Sequence, residues 1–176
     1  MPVAEWDFEK LVAELYEPLY RFAFSLRRNH ADAADLTQQT FYRWASKGHQ
    51  LLDGAKVKTW LFTTLYREFL ALKAREERLA AHVEKAEVKG TPRSESVMNQ
   101  MDGKTAYQAL LLLEENYRAP LTLFYLQQNS YLEIAEILNI PIGTVMSRIS
   151  RGKAELRKAL SDSCEKKTPG ERPATP

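Results

Sequence analysis

The chain has 176 residues, 44% of them hydrophobic and 27% charged, with a formal net charge of +2. That composition fits one or two small globular domains and excludes disorder throughout. With no run of about 18 apolar residues it has no membrane-spanning helix, and its acidic start, Met1–Glu9, lacks the parts of a secretory signal. A lone cysteine, Cys164, excludes an internal disulfide, and His30, His49 and His82 offer no zinc spacing. No metal or other cofactor is expected, and the cytoplasm is the expected location.

Apolar spacing is helical almost throughout and no strand pattern emerges, so the expected fold is all-α. Phe8, Leu11, Val12, Leu15, Leu19 and Phe22 mark one face of a first helix, in which Pro18 predicts a kink or break. Asp32 or Asp35 is the expected start of a second helix, burying Leu36, Phe41 and Trp44 and ending at Gly48. A third helix, about Val57 to Arg78, carries Trp60, Leu61, Leu65, Phe69 and Leu72. Residues 1–80 thus read as a first helical domain.

From about residue 84 to 103, Glu, Lys, Gly, Thr, Pro, Ser, Asn and Gln displace apolar types, which predicts a flexible linker assigned to residues 81–104. A second domain is expected over residues 105–160, with helices Tyr107–Glu115 and Pro120–Gln127 before a helix-turn-helix. Residues 161–176, rich in proline and without apolar pattern, predict a disordered tail.

Residues 130–158 carry the strongest signal. Leu132, Ile134, Ala135 and Leu138 give a first buried face, and small Ala135 admits a close neighbour. Asn139 suits the left-handed backbone of a sharp turn, Ile140 fills the corner, and Pro141 breaks the helical continuity. The second helix, from about Gly143, turns Val145, Ile149 and Leu156 inward and Thr144, Ser147, Arg148, Arg151, Lys153 and Arg157 outward. A basic helix in this setting fits the major groove of duplex DNA, with its first turns at base edges and its cations at phosphates.

Charge is segregated along the chain. Five cations against one anion lie between Lys56 and Arg75, and again five against one between Pro141 and Leu160. Two basic patches fit a protein that touches a polyanion in two places. The first also mixes Lys56, Lys58 and Arg67 with aromatics, as single-strand binding requires, although a small bundle needs most of those rings in its core. On the second helix, Asp35, Gln38, Gln39 and Tyr42 fall on adjoining outer positions and make a polar docking face. No phosphate loop, nucleophile–base pair or metal cluster is present in the sequence, so no enzyme and no small-molecule substrate are expected.

The segments Asp-Leu-Thr-Gln-Gln-Thr-Phe, Thr-Trp-Leu-Phe and Ile-Pro-Ile-Gly-Thr-Val-Met-Ser-Arg-Ile-Ser-Arg-Gly resemble, in this order, the extracytoplasmic-function (ECF) sigma factors of bacteria. The likeness covers about residues 8–78 and 105–160. It implies a factor that binds core RNA polymerase through the β′ clamp and β flap, recognises −10 and −35 promoter elements, and acts as a monomer. By that resemblance Asp35, Leu36, Gln38, Gln39 and Phe41 dock on the clamp. Lys56, Lys58, Trp60, Thr63 and Arg67 meet the −10 element, the loop before Trp60 holding a flipped base. Thr144, Ser147, Arg148, Arg151 and Lys153 read the −35 element. An anti-sigma factor is a further implied partner, and a membrane-bound one would hold the chain at the inner membrane. Departures from the family pattern are Gln39 in place of Glu, the run Arg67–Ala71, and Met146 and Ser150 on the reading helix; both promoter preferences stay open. The alternative is a free-standing helix-turn-helix regulator, a dimer on half-sites about 34 Å apart.

Overall fold

A computed structural model describes residues 7–83 and 103–165. Every ordered element within them is helical. Helix α1 (Phe8–Arg27) starts at Asp7, whose carboxylate accepts from the Glu9 N–H at 3.1 Å. It runs through Pro18 without the break that was one of the two expected outcomes there. Proline removes only one backbone donor, and Leu19, Phe22, Ala23 and Leu26, all buried just beyond it, anchor the second half of the helix. Arg28 ends α1 in the left-handed region (φ 56°), its N–H bonded to the Phe24 carbonyl at 2.8 Å.

Helix α2 (His30–Lys47) begins earlier than the acidic residues suggested. Asn29 takes the capping position and accepts from the Asp32 N–H at 3.1 Å, so Asp32 lies in the first turn rather than opening it. Gly48 follows the helix as expected, and closely so: a Cβ there would stand 2.6 Å from the Trp44 ring. Short turns at Gly48–Gln50 and Gly54–Lys56 lead into helix α3 (Val57–Val83). Helices α1–α3 enclose Leu11, Leu19, Phe22, Leu36, Phe41, Trp44, Leu61, Phe62 and Leu65, with the Phe22 and Phe62 rings 5.6 Å apart. Leu72, expected on this inner face, is exposed. Arg27 ties the three helices at one end, pairing with Asp32 at 2.7 Å and Glu76 at 2.8 Å. The guanidinium holds the Glu76 carboxyl below the usual carboxylate range.

Helix α4 (Gly103–Leu112) and helix α5 (Glu115–Tyr125) divide where a single helix through Glu115 was expected. Buried Arg118 explains the break: its Nη1 donates to the carbonyls of Leu111 (3.2 Å) and Leu113 (2.5 Å), replacing the bonds a continuing helix would have made. Pro120, expected to start a helix, sits buried inside α5. Helices α6 (Tyr131–Leu138) and α7 (Ile142–Glu165) complete the fold. Gly152 lets α7 lie close on α5, since a Cβ there would meet Leu121 Cδ1 at 2.7 Å.

The linker and tail boundaries shift accordingly. Residues 81–83 and 103–104 are helical, and so are residues 161–165, which were expected to be disordered. Residues 84–102 and 166–176, the rest of the expected linker and tail, lie outside the described residues.

The two sets of helices share one buried cluster. α1 packs on α5 and α3 on α6. Buried Gln127 bridges them: its Nε2 donates to the Pro18 carbonyl at 3.0 Å, and its own carbonyl accepts from Lys58 Nζ at 2.7 Å. Lys73 and Glu115 pair across the same boundary at 2.8 Å. Tyr107, where α4 comes near Arg21 and Tyr20, has its phenol pushed up to about 12, chiefly by burial.

Candidate functional site

Three exposed surfaces correspond to the expected sites. The first lies on α2, where a helical repeat brings Asp35, Gln38, Gln39 and Tyr42 to one side; together they line a shallow open depression. Leu36 and Phe41, expected among the docking contacts, point the other way and are buried. Phe41 packs against the rings of Phe8 and Tyr16, each at 6.3 Å. Their part is to seat α2, and a partner cannot reach them without unfolding it. Tyr42, 66% exposed, completes the surface, as its place on the expected polar face implied, although the family resemblance did not include it among the clamp contacts. Its signal was the spacing of three and four residues from Gln39 and Gln38.

The second surface runs from the turn before α3 along that helix. Asp53 shapes the turn by accepting from the Ala55 N–H at 3.0 Å, and Lys56 at its end is exposed. Trp60, Thr63 and Arg67 continue at intervals of three and four residues, which places them with Lys56 on one stripe. Trp60 is half-buried, its ring edge-on to Trp44 at 5.3 Å. Lys58 does not join this stripe. Two residues from both Lys56 and Trp60, it projects across the helix and is tied to the Gln127 carbonyl. Its charge and the family resemblance had grouped it with the others. Leu52, 90% exposed in the loop before α3, adds an apolar tip that sequence reasoning left unmarked.

The third surface is the helix-turn-helix. Ser130 and Glu133 form a reciprocal cap on α6: the Ser130 N–H donates to the Glu133 carboxylate at 2.7 Å, and the Glu133 N–H to Ser130 Oγ at 3.3 Å. The backbone bond from Ser130 chiefly holds the Glu133 carboxyl below its ordinary value. Asn139 adopts the left-handed conformation expected of it (φ 52°, ψ 50°), and the Ile140 N–H returns to the Ala135 carbonyl at 3.1 Å. Ile134, Ile137 and Leu138 form the buried face. Leu132, expected there, is 71% exposed, because the face is set by Ile134, Ile137 and Leu138 and residue 132 falls outside it.

On α7, Val145 and Ile149 are buried and seat the helix. Ser147 and Arg151 are exposed, while Thr144, Arg148 and Lys153 are half-buried. Ser147 Oγ donates to the Thr144 carbonyl at 3.0 Å. Arg148 lies near enough to Tyr66 of α3 to ease its ionisation, although burial dominates and raises that phenol overall. Lys153 Nζ stands over the Phe124 and Tyr125 rings at 5.4 and 5.8 Å. These surfaces offer hydrogen bonds, cations and apolar tips, the means of binding a polyanion and a protein.

Sigma-70 region 2 matches residues 11–79, and Sigma-70, region 4 matches residues 104–156. The ECF RNA polymerase sigma factor SigW of Bacillus subtilis is 30% identical over 164 residues, covering 86% of this chain and 88% of that protein. This chain belongs to the ECF sigma factors. SigE of Mycolicibacterium smegmatis is 31% identical over 161 residues, covering 89% of this chain and 62% of that protein. Among solved structures, the sigma factor RpoE in complex with the anti-sigma factor NepR from Bartonella quintana superposes with a TM-score of 0.73 at 28% identity, covering 88% and 97% of the two chains. CnrH, in complex with the cytosolic domain of CnrY, shares the fold with a TM-score of 0.60 at 21% identity, covering 88% of each chain. As an ECF sigma factor the chain directs transcription initiation by RNA polymerase, and two sigma regions in one chain leave the free-standing regulator without support. No helix among the described residues is long and apolar enough to cross a membrane.

Proposed function

We propose that this sigma factor divides its task between two regions, residues 1–80 and 105–160. Asp35, Gln38 and Gln39, with Tyr42 beside them, dock on the clamp helices of the polymerase β′ subunit, and the second region meets the β flap. Lys56, Trp60, Thr63 and Arg67 hold the −10 element, with Leu52 at the loop that receives an unpaired base. Thr144, Ser147, Arg148, Arg151 and Lys153 serve the −35 element in duplex form, Arg151 being the exposed cation among them. Lys58 joins the promoter contacts only after the bond to Gln127 is released.

The factor performs no chemistry of its own. Binding energy holds the promoter and stabilises bases that have left the stack, while the polymerase makes the RNA. It acts as a monomer in the cytoplasm, and an anti-sigma protein is its expected inhibitor, as the neighbour RpoE was solved with the anti-sigma factor NepR. A membrane-bound inhibitor would hold it at the inner membrane.

The observation that supports this reading best is the separation of two exposed surfaces, the polar face of α2 and the basic face of α7, on one chain. Asp35→Ala with Gln38→Ala should weaken binding to core polymerase at least ten-fold in a competition assay and leave the helix-turn-helix intact. Arg151→Ala should weaken promoter binding by the holoenzyme and leave core binding unchanged. Loss of core binding in Arg151→Ala would contradict the division.

A further inference from the structure

The first two turns of α7 present an unusual surface for a helix expected to read DNA. Val145 and Ile149 are buried beneath it. Two of the five polar residues assigned to base or phosphate contact have partners within the protein, and Thr144 and Arg148 are half-buried. Ser147 bonds the Thr144 carbonyl, and Lys153 stands over two aromatic rings. What reaches solvent first is apolar or small. Ile142 is 42% exposed and Met146, one turn on, is 52% exposed. Gly143, Ser147 and Ser150 on the same side keep the approach low. Exposed Arg151, Arg157 and Lys158 follow further along the helix.

Nothing in the fold asks for this arrangement. Among the described residues a Cβ on Gly143 would meet no atom within 4 Å, so none of them excludes a side chain there. Large apolar side chains one turn apart in water lose free energy unless something covers them. In the major groove, the one apolar feature of a base edge is the C5-methyl of thymine. Methionine is unbranched and polarisable, and adapts its shape to such a contact. The cations that follow match the phosphates flanking the groove.

Resting on the promoter-binding role proposed above, we propose that Met146, supported by Ile142, reads a thymine methyl in the −35 element. Gly143 lets the DNA edge come close. The element this factor prefers then contains a thymine whose methyl group, rather than a hydrogen-bonding atom, sets the preference.

The test uses holoenzyme assembled from the full chain and bacterial core polymerase. Sites are first selected from randomised duplex DNA at the −35 position. Each selected thymine is then replaced by deoxyuridine, which removes the methyl and keeps every base pair. One replacement should weaken binding about four-fold, the effect of one buried methyl-sized group of about 0.8 kcal/mol. In Met146→Ala the same replacement should have no effect, while Met146→Leu should keep part of the sensitivity. Core binding by both variants confirms that they fold. Methyl removal that changes nothing at any position, or that acts equally on Met146→Ala, overturns the inference and leaves the promoter role standing. Loss of core binding in a folded Met146→Ala also overturns it, since the pair would then serve the polymerase. If no duplex site is selected at all, the promoter-binding role falls and the inference with it.

Discussion

Gly143 and Gly152 lie on the same helix and meet opposite surroundings. At Gly152 a Cβ would enter the Leu121 side chain, whereas at Gly143 it would enter open space. Gly152→Ala should therefore destabilise the protein by about 1–3 kcal/mol, the usual cost of overpacking. Gly143→Ala should stabilise it by about 0.5–1 kcal/mol, since alanine is the better helix former. Thermal unfolding of both variants checks the pair, and a stabilised Gly152→Ala would mean that α7 and α5 are further apart than described. Sequence spacing placed Val145 and Ile149 inward correctly but could not tell these glycines apart, because the difference lies in a neighbouring helix. The same limit explains Leu36 and Phe41. A motif marks a segment as functional, and burial decides which of its side chains a partner can touch. Leu52 went unassigned because exposure of an apolar residue is invisible to a pattern that expects such residues inside, and Met146 was marked only as a departure on the reading helix.

At the scale of elements, helix interiors and a few ends, at Gly48, Val57 and Asn139, were legible, while other ends were not. A 3.6-residue repeat announces an apolar face, but Asn29, Asp32 and Asp35 are all acceptable caps, and only the local backbone selects Asn29. Arg118 gave no sequence signal for its part in ending α4, since a buried arginine bonding two carbonyls looks like any surface cation until the fold is known. The cap on α6 carries a pH prediction. Its Glu133 carboxyl has a lowered pKa when folded, so the folded state binds the proton less readily than the unfolded chain. Its contribution is full above the unfolded value of about 4.3 and is lost as pH falls through the lower folded value. Replacing it by Glu133→Gln should remove that part of the acid dependence, giving a shallower fall in stability between about pH 5 and pH 3. An acid limb identical to that of the parent protein would assign the dependence elsewhere, Glu76 being the next candidate.

Across the whole molecule, the all-α architecture and its two regions were readable from composition, order and motif, but their packing against one another was not. Beside the shared apolar cluster, that contact includes Gln127, Lys58, Lys73 and Glu115, polar residues that carry no apolar periodicity. It also makes Lys58 unavailable to a phosphate while Gln127 holds it. Gln127→Ala combined with Glu115→Ala removes the Gln127 Nε2–Pro18 bond and the Lys73–Glu115 pair from the second region, without altering an assigned DNA contact. The double variant should loosen the arrangement, seen as lower energy transfer between dyes at positions 10 and 158, and unchanged transfer would show that apolar packing alone holds the regions together.

Run-off transcription with bacterial core polymerase, on a pool of genomic promoters, tests the central claim most directly. Transcripts with defined start sites that require both the core enzyme and this chain, and that share two upstream elements, are the predicted result. Tight duplex binding by the chain alone, with no core-dependent transcript, would contradict it.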